Sequence, residues 1–393
     1  MMRRAAMAMA LLAAFVLLTI PSGAASEETG WAELFNGKDL SGWTAMNEGK
    51  FEVRDKLLCV GGGTGWLRSD QLYDDFVLEF EVRPLKDNFD SGVFFRAGLG
   101  GKPWPEKNYC VNLRSNQWGA LLADGERLTK TKQAAAPVGQ WTKWVLTVEG
   151  KKGSLLMDGK TVWETDELEP GRGLVGIQAE NSEFEFRNIR IKEVGHLNLL
   201  TGEAPTGSHF TTIVGAKGVW TLRPDGVLEC RNKPGQATGG WIGTKTDDWA
   251  NFDLKLEFNV PPDGNSGVFI RRPIKGDGAY EGMEIQVIDD DAKVFGKLQP
   301  WQHCGSIYRE VVPAVRATRK AGTWQSMEIV ADKNIVRVCI NGVEIVNADL
   351  DKYTTATTRA KALKDRPRQG YIGLQNHGSG IEYRNIRVKR LPD

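Results

Sequence analysis

Residues 283–288 alternate in side-chain character, and this pattern predicts a strand with two different faces. One face carries Met283, Ile285 and Val287, and the other carries Glu284, Gln286 and Ile288. A sheet that packs its apolar face on a core leaves its other face to water or to a cleft. The polar row, with Arg271 at the end of the preceding run, therefore suits a hydroxylated ligand such as a sugar. An ordinary solvated face fits the same pattern.

An internal repeat organises the rest of the chain. Six segments of the first half recur in the same order in the second half. The pairs are residues 73–82 and 249–258, 91–96 and 266–271, 139–141 and 322–324, 157–160 and 340–343, 173–178 and 370–375, and 185–190 and 382–387. Two copies at so long a period indicate a duplicated domain rather than a solenoid. We expect a first domain at residues 26–194 and a second at residues 195–393.

Both copies have the composition of β-sheet proteins. Their apolar runs are short and rich in β-branched and aromatic residues, and helical periodicity is nearly absent. Asp158-Gly159 and Asn341-Gly342 each lie between two such runs, which is a strong hairpin signal. With 45 glycines in the chain, the pattern predicts an all-β protein with two tandem jelly-roll β-sandwich domains.

The N-terminus has the features of a signal peptide at residues 1–25. A basic start is followed by an apolar run from Ala5 to Ile20 and then by small residues. The apolar run is short for a membrane span, which needs about 20 residues. We therefore expect export to the periplasm or the extracellular space. The net charge of +1 gives no basic field that would indicate nucleic-acid binding.

The five cysteines do not have the spacing of a disulfide framework or a zinc site. Four of them lie in strand-like runs and are expected to be small buried apolar residues. Cys304 lies in a predicted loop beside His303, so the sequence is also compatible with a reactive thiol at this position.

Several motifs together resemble the 3-keto-disaccharide hydrolase family. They lie at residues 34–43 (LFNGKDLSGW), 265–271 (NSGVFIR), 284–289 (EIQVID), 305–308 (GSIY), 375–378 (QNHG) and 382–387 (EYRNIR). The resemblance covers nearly all of the chain after the signal peptide, in two copies. It implies concanavalin-like jelly rolls and activity on glycosides whose sugar carries a ketone at carbon 3.

The two copies differ on the polar side. Domain two has Glu284 and His377, whereas domain one has Cys110 and Glu180 at the matching places. The apolar positions are kept in both. One catalytic and one non-catalytic copy would look like this, and so would a first domain that binds a different ligand.

A ketone at carbon 3 acidifies the hydrogen on carbon 2, so a base can start an elimination that expels the group on carbon 1. The site then needs a general base, an electrophile at the ketone oxygen and an acid for the leaving group. A bound divalent cation could serve as the electrophile. A non-catalytic, lectin-like protein and a conventional glycosidase with paired carboxylates remain the alternatives.

All candidate residues lie in domain two except Trp104, which lies in a predicted loop of domain one. The predicted catalytic residues are Glu284, His377, Tyr308 and His303; the predicted substrate-binding residues are Arg271, Gln286, Gln375, Trp301 and Trp104; the predicted metal ligands are Glu284 and Asp289. Each also has a structural reading: a buried aromatic, a surface histidine, an ion pair or a solvated acidic loop. The partner that these residues imply is a small-molecule or oligosaccharide substrate.

Overall fold

The computed structural model describes residues 30–129, 138–201, 209–215 and 218–393. The predicted signal peptide, residues 1–25, lies outside the described residues. Within them the chain folds into antiparallel sheets with little helix, so the predicted all-β class is confirmed. No helix in these ranges has the length and apolar character that crossing a membrane requires.

The first sandwich has two sheets. Its strands are β1 (Trp31–Glu33), β2 (Trp43–Asn47), β3 (Phe51–Arg54), β4 (Leu57–Gly61), β5 (Thr64–Tyr73), β6 (Phe76–Pro84), β7 (Gly92–Ala97), β8 (Tyr109–Asn112), β9 (Ala120–Ala123), β10 (Glu126–Arg127), β11 (Thr142–Glu149), β12 (Lys152–Met157), β13 (Lys160–Thr165), β14 (Gly173–Glu180) and β15 (Glu183–Glu193). Sheet I has the order β13-β12-β11-β6-β15-β4-β3, with β1 also on β15. Sheet II has the order β10-β9-β8-β7-β14-β5-β2.

The second sandwich repeats this plan. Its strands are β16 (Leu197–Asn198), β17 (Phe210–Gly215), β18 (Trp220–Leu222), β19 (Leu228–Cys230), β20 (Gly240–Thr244), β21 (Phe252–Asn259), β22 (Asn265–Arg272), β23 (Met283–Ile288), β24 (Gln325–Asp332), β25 (Ile335–Ile340), β26 (Val343–Asp349), β27 (Tyr371–Gln375) and β28 (Ile381–Arg390). Sheet III has the order β18-β19-β28-β21-β24-β25-β26, with β16 on β28, and sheet IV has the order β17-β20-β27-β22-β23. One helical turn, α1 (Gly278–Glu281), precedes β23, and short 3-10 helices lie at Lys293–Phe295, Pro300–Gln302, Leu350–Lys352 and Leu363–Asp365.

Both predicted hairpins are formed. Asp158 and Gly159 connect β12 to β13, with φ of 49° and 76°, and Asn341 and Gly342 connect β25 to β26, with φ of 50° and 75°. Two successive residues with positive φ make the turn that matches strand twist, which is why Asp-Gly and Asn-Gly occupy these positions.

The core of the second sandwich fixes the orientation of β23. Met283, Ile285 and Val287 are fully buried against sheet III, as predicted. Because side chains alternate along a strand, Glu284 and Gln286 must then lie on the opposite side of sheet IV. We call that side the polar face.

A buried ionic cluster joins the two sandwiches. Glu193, at the end of β15, accepts hydrogen bonds from Lys255 of β21 and from Arg387 of β28. Lys255 also donates to the carbonyl oxygen of Leu72 at 2.7 Å and lies 3.8 Å from the Asp253 carboxylate. Burial alone would raise the pKa of Glu193, but Arg387 and Lys255 outweigh it and hold that pKa far below its ordinary value. The cluster therefore stays charged while buried.

We expect Glu193→Gln to lower the free energy of unfolding by about 3 kcal/mol, because it removes the carboxylate shared by two buried cations and takes from Arg387 its ion-pair partner. The matched control is Glu183→Gln, which removes the exposed partner of Lys86 and should cost less than about 1 kcal/mol. Urea unfolding of both variants measures the difference. Equal midpoints would contradict a stabilising role for the cluster.

Candidate active site on the second sandwich

A bulge in β22 decides which arginine reaches the polar face. The register against β27 shifts between Phe269 and Arg272, and Arg271 has a φ of 48°. Phe269 and Arg272 consequently share the polar face, while Arg271 turns to the other side. There Arg271 is fully buried and donates to the carbonyl oxygens of Ala250 and Lys333, both at 2.8 Å. The prediction that Arg271 reaches the Glu284 side is wrong.

Arg272 lies between two aromatic rings on the polar face. Its guanidinium carbon is 4.6 Å from the centre of the Trp241 ring and 4.5 Å from that of Phe269. Nη2 donates to the carbonyl oxygen of Gly276 at 3.0 Å. Any side chain at Gly278 would overlap the guanidinium, so this glycine is required for the approach. The rings and the loop therefore hold the cation in one place.

Glu284 lies next to this cation, and its environment favours the protonated form. The pKa of Glu284 is raised from an ordinary 4.5 to about 8: burial is the largest cause and the Asp277 charge adds to it, whereas Arg272 and a hydrogen bond from Gln375 partly oppose the rise. The Glu284 side chain crosses Gly267, where a Cβ would overlap its carboxylate. A carboxyl group with a pKa near neutrality is suited to accept a proton.

Other polar atoms on this face are buried without a hydrogen-bond partner among the described residues. They are Trp241 Nε1, Asn265 Oδ1, Gln286 Oε1, Gln375 Oε1, and Nε and Nη1 of Arg272. Buried polar groups are nearly always paired, so such a cluster calls for an explanation. A polar ligand on the face would satisfy donors and acceptors together.

Aromatic side chains form one rim of the face. Residues 305–308 run along the free edge of β23, with Tyr308 N donating to Glu284 O at 2.8 Å and Ile307 bridged to Ile285. Since Ile285 points into the core, Tyr308 points to the Glu284 side. The rings of Tyr308 and Trp301 meet edge to face at 5.4 Å. Both predicted residues are thus brought to the rim.

The other predicted residues occupy the open end of β27 and the loop after β23. Gln375 is partly exposed and on the polar face, and His377 is exposed, with Nε2 3.5 Å from Asn265 Nδ2. His303 has its Nδ1 3.1 Å from the buried Asp290 carboxylate. No described hydrogen bond joins His303 to Glu284. The structure thus brings His377 near the site and leaves His303 on a neighbouring loop.

Asp289 has a structural role. Its carboxylate accepts the backbone N–H groups of Asp263 at 3.0 Å and Asp291 at 3.1 Å, which fixes the turn after β23. The predicted metal pairing of Asp289 with Glu284 is not formed. Across residues 30–129, 138–201, 209–215 and 218–393, no group of three or more His, Cys, Asp or Glu side chains could hold a metal ion. The positive charge of Arg272 acts on Glu284, and a neighbouring guanidinium disfavours the predicted divalent cation at this place.

The cysteines are all buried free thiols. For Cys304, burial raises the thiol pKa well above its ordinary value. The reactive thiol that the sequence left open is therefore disfavoured at this position.

The matching face of the first sandwich carries an apolar cluster that includes Cys110, and Gln178, hydrogen-bonded to Glu180, lies beside it. Cys110 pairs with Phe94 as Glu284 pairs with Phe269, and Ala97 occupies the place of Arg272. Trp104 packs on this apolar cluster and donates from Nε1 to a backbone carbonyl at 3.3 Å. Trp104 as a sugar platform stays a prediction; its ring is partly buried on the first domain's own sheet.

The candidate residues named from the sequence include neither Arg272 nor Trp241. Both belong to the polar face. One signal for Arg272 was present: the motif that ends at Arg96 and Arg271 is common to both copies, but the next residue is Ala97 in one and Arg272 in the other. Arg96 and Arg271 have the same φ of 48° in the two copies, which indicates a structural role for this arginine. A charged residue that occurs in one copy only indicates a functional role.

The chain matches the family model of the 3-keto-α-glucoside-1,2-lyase-like domain in two segments, residues 30–192 and 203–389. It is 25% identical over 243 residues to the 3-keto-disaccharide hydrolase of Bacteroides thetaiotaomicron, which covers 53% of this chain and 83% of that protein. A candidate glycosyl hydrolase structure from Parabacteroides distasonis is 27% identical, covers 50% of this chain and 99% of its own, and has a TM-score of 0.43. A carbohydrate-binding module of Bacillus subtilis is 15% identical, covers 39% and 96%, and has a TM-score of 0.35.

We expect Glu284→Gln to stabilise the protein at high pH. The folded-state pKa of about 8 exceeds the ordinary 4.5, so the native state binds the proton more tightly. The contribution of the Glu284 proton to wild-type stability is fully present below about pH 4.5 and is lost as the pH rises through about 8. The glutamine variant does not titrate and so avoids this loss. The difference in unfolding free energy between the variant and the wild type should therefore be about 1–3 kcal/mol more favourable to the variant at about pH 9 than at about pH 5.

Chemical unfolding at both pH values measures the effect. The exposed Glu106→Gln is the control and should change neither value. An equal effect of Glu284→Gln at both pH values would contradict the raised pKa.

Proposed function

Because the chain belongs to the 3-keto-α-glucoside-1,2-lyase-like family, with two copies, we propose that its second copy is an exported enzyme that cleaves 3-keto-glycosides by elimination or net hydrolysis. The observation that carries this proposal is Glu284, a buried carboxyl group with a pKa raised to about 8, on a face where several buried polar atoms have no hydrogen-bond partner in the described part of the chain. The relative from Bacteroides thetaiotaomicron, a 3-keto-disaccharide hydrolase, supports the substrate class. Export rests on the predicted signal peptide.

In the proposed reaction, Glu284 takes the hydrogen on carbon 2 as a proton. The electron pair of that C–H bond is first taken up by the carbon 3 ketone as an enolate. It then forms the carbon 1–carbon 2 double bond, the bond from carbon 1 to the glycosidic oxygen breaks, and that oxygen is protonated. Water adding back at carbon 1 gives net hydrolysis. A base works best when its pKa lies near the working pH, which the burial of Glu284 supplies.

Two groups of side chains would position the sugar. Gln286 and Gln375 offer carboxamides whose oxygens have no hydrogen-bond partner among the described residues, and such groups suit sugar hydroxyls. Trp301 and Tyr308 would pack against the sugar or its leaving group from the rim. Tyr308 and His377 are the proposed acids for the leaving oxygen.

A conventional glycosidase is less well supported. That mechanism needs two carboxyl groups on opposite sides of the glycosidic bond. The second carboxylate acting on Glu284 is Asp277, and it caps α1 by accepting from Ala279 N at 3.0 Å. Asp277 is therefore already engaged with the backbone.

We infer that the first sandwich is non-catalytic. Cys110 and Ala97 replace the carboxyl group and the cation, and Trp104 covers the face. Its contribution would be structural, through the ionic cluster around Glu193.

A product assay tests the substrate class. Purified protein should release the aglycone from a 3-keto-glucoside but not from the parent glucoside, since only the ketone acidifies the hydrogen on carbon 2. Release from the parent glucoside would support a conventional glycosidase. Binding of either sugar without release would support the lectin-like alternative.

Glu284→Gln should lower kcat by about 10²–10⁴-fold, the usual contribution of a general base. In the wild type, kcat/KM should rise with pH up to about 8, because the carboxylate form is the active one. Cys110→Ala, at the matching position of the first sandwich, is the control and should retain full activity. Activity of Glu284→Gln within threefold of the wild type would remove Glu284 from the mechanism.

A further inference from the structure

We propose that Arg272 is the electrophile of this site: its guanidinium binds the carbon 3 carbonyl oxygen and stabilises the negative charge that develops there. This inference rests on the proposed function and assigns the role that the sequence reading left to a divalent cation. It also names the residue that distinguishes a 3-keto sugar from the unoxidised sugar.

The first argument is the fixed position of the guanidinium. It lies between the Trp241 and Phe269 rings, at 4.6 and 4.5 Å. One nitrogen, Nη2, is tied to Gly276 O at 3.0 Å. A group held in this way needs little reorganisation when charge appears on a substrate, which is the condition for strong electrostatic stabilisation.

The second argument is the unused hydrogen-bonding capacity of Arg272. The residue is 5% exposed, yet Nε and Nη1 have no hydrogen-bond partner within the described part of the chain. Among the same residues no carboxylate lies within ion-pair distance of it, unlike Arg187 or Arg384 on their tryptophans. A buried cation without a partner is costly unless an anion arrives to use it.

The third argument is the neighbourhood of Glu284. Glu284 is the cross-strand partner of Phe269, and the Arg272 guanidinium stacks on the ring of that same Phe269 at 4.5 Å. The base and the cation therefore lie side by side, and each acts on the pKa of the other. Both are lost together in the first sandwich, where Cys110 and Ala97 stand in their places. The loss of both Glu284 and Arg272 counterparts from the same copy fits two residues that act together in one reaction.

The chemistry balances without another reactant. When Glu284 removes the proton from carbon 2, the electron pair moves into a carbon 2–carbon 3 double bond and the charge settles on the carbon 3 oxygen, where Arg272 N–H groups donate to it. The ketone then re-forms, the electron pair of the carbon 2–carbon 3 double bond forms a carbon 1–carbon 2 double bond, and the bond from carbon 1 to the leaving oxygen breaks. Tyr308 or His377 protonates that oxygen. An unoxidised sugar has a hydroxyl at carbon 3 and forms no such anion.

The test isolates the first step. A 3-keto sugar with hydrogen in place of the leaving group, such as 3-keto-1,5-anhydroglucitol, can exchange its carbon 2 hydrogen in D₂O but cannot eliminate. NMR follows this exchange for the wild type, Arg272→Met, Arg272→Lys and Arg187→Met. Arg187 is the matched control, because it also stacks on a tryptophan, at 4.1 Å from Trp141, but lies on the first sandwich.

Arg272→Met should slow exchange by about 10²–10³-fold, the usual effect of removing an oxyanion donor. Arg272→Lys should recover part of it, since lysine keeps the charge without the planar fork. Arg187→Met should exchange at the wild-type rate. The rise of exchange with pH should also shift to higher pH in Arg272→Met, because loss of the cation raises the pKa of Glu284; loss of packing alone would leave the profile in place.

The outcomes separate this inference from the proposed function. Wild-type exchange with undiminished exchange in Arg272→Met would overturn the role of Arg272 and leave the 3-keto-glycoside activity intact. Neither exchange nor cleavage by the wild type would overturn both. If Arg272→Met fails to fold by circular dichroism, Arg272→Lys decides: an exchange rate below that of the wild type and above that of Glu284→Gln supports the role of the guanidinium, and an undiminished rate argues against it.

Discussion

The packing of sheet IV against sheet III is the constraint on which the site depends. Burial of Met283, Ile285 and Val287 holds β23 in a single register, because a slip by one residue would send every side chain to the other face. That apolar contact forces Glu284 and Gln286 to the polar face, although burying a carboxyl group there is unfavourable. The apolar core therefore supplies the free energy that offsets the unfavourable burial of these polar groups.

The bulge at Arg271 adds the second element of the site. Without the register shift, strict alternation would put the side chain of residue 271 beside that of Phe269 and turn residue 272 away. The left-handed backbone of Arg271 is held by buried hydrogen bonds to Ala250 and Lys333. Arg271 thus fixes the backbone so that Arg272 lies beside Glu284. Bulges near functional sites commonly redirect a side chain in this way.

The duplication shows how one architecture accepts either a site or a closed surface. Both copies keep the bulge arginine, with Arg96 donating to the carbonyl oxygens of Glu169 and Asp74. In the first copy, Cys110 and Ala97 let Trp104 close over the sheet as an apolar cluster. In the second, Glu284 and Arg272 keep the same surface polar and incompletely paired. The difference lies in a few side chains on one face and leaves the sandwich unchanged.

Local pattern by itself determined the all-β class, the duplication, the two hairpins and the face on which Glu284 and Gln286 lie. These follow from periodicity and turn chemistry, which need only neighbouring residues. Only the tertiary structure decided that Arg272 rather than Arg271 faces the site, that Trp104 closes the first sheet, and that Asp289 caps a turn. Each depends on a bulge, a loop position or a backbone donor set by strands distant in sequence, which no local period encodes.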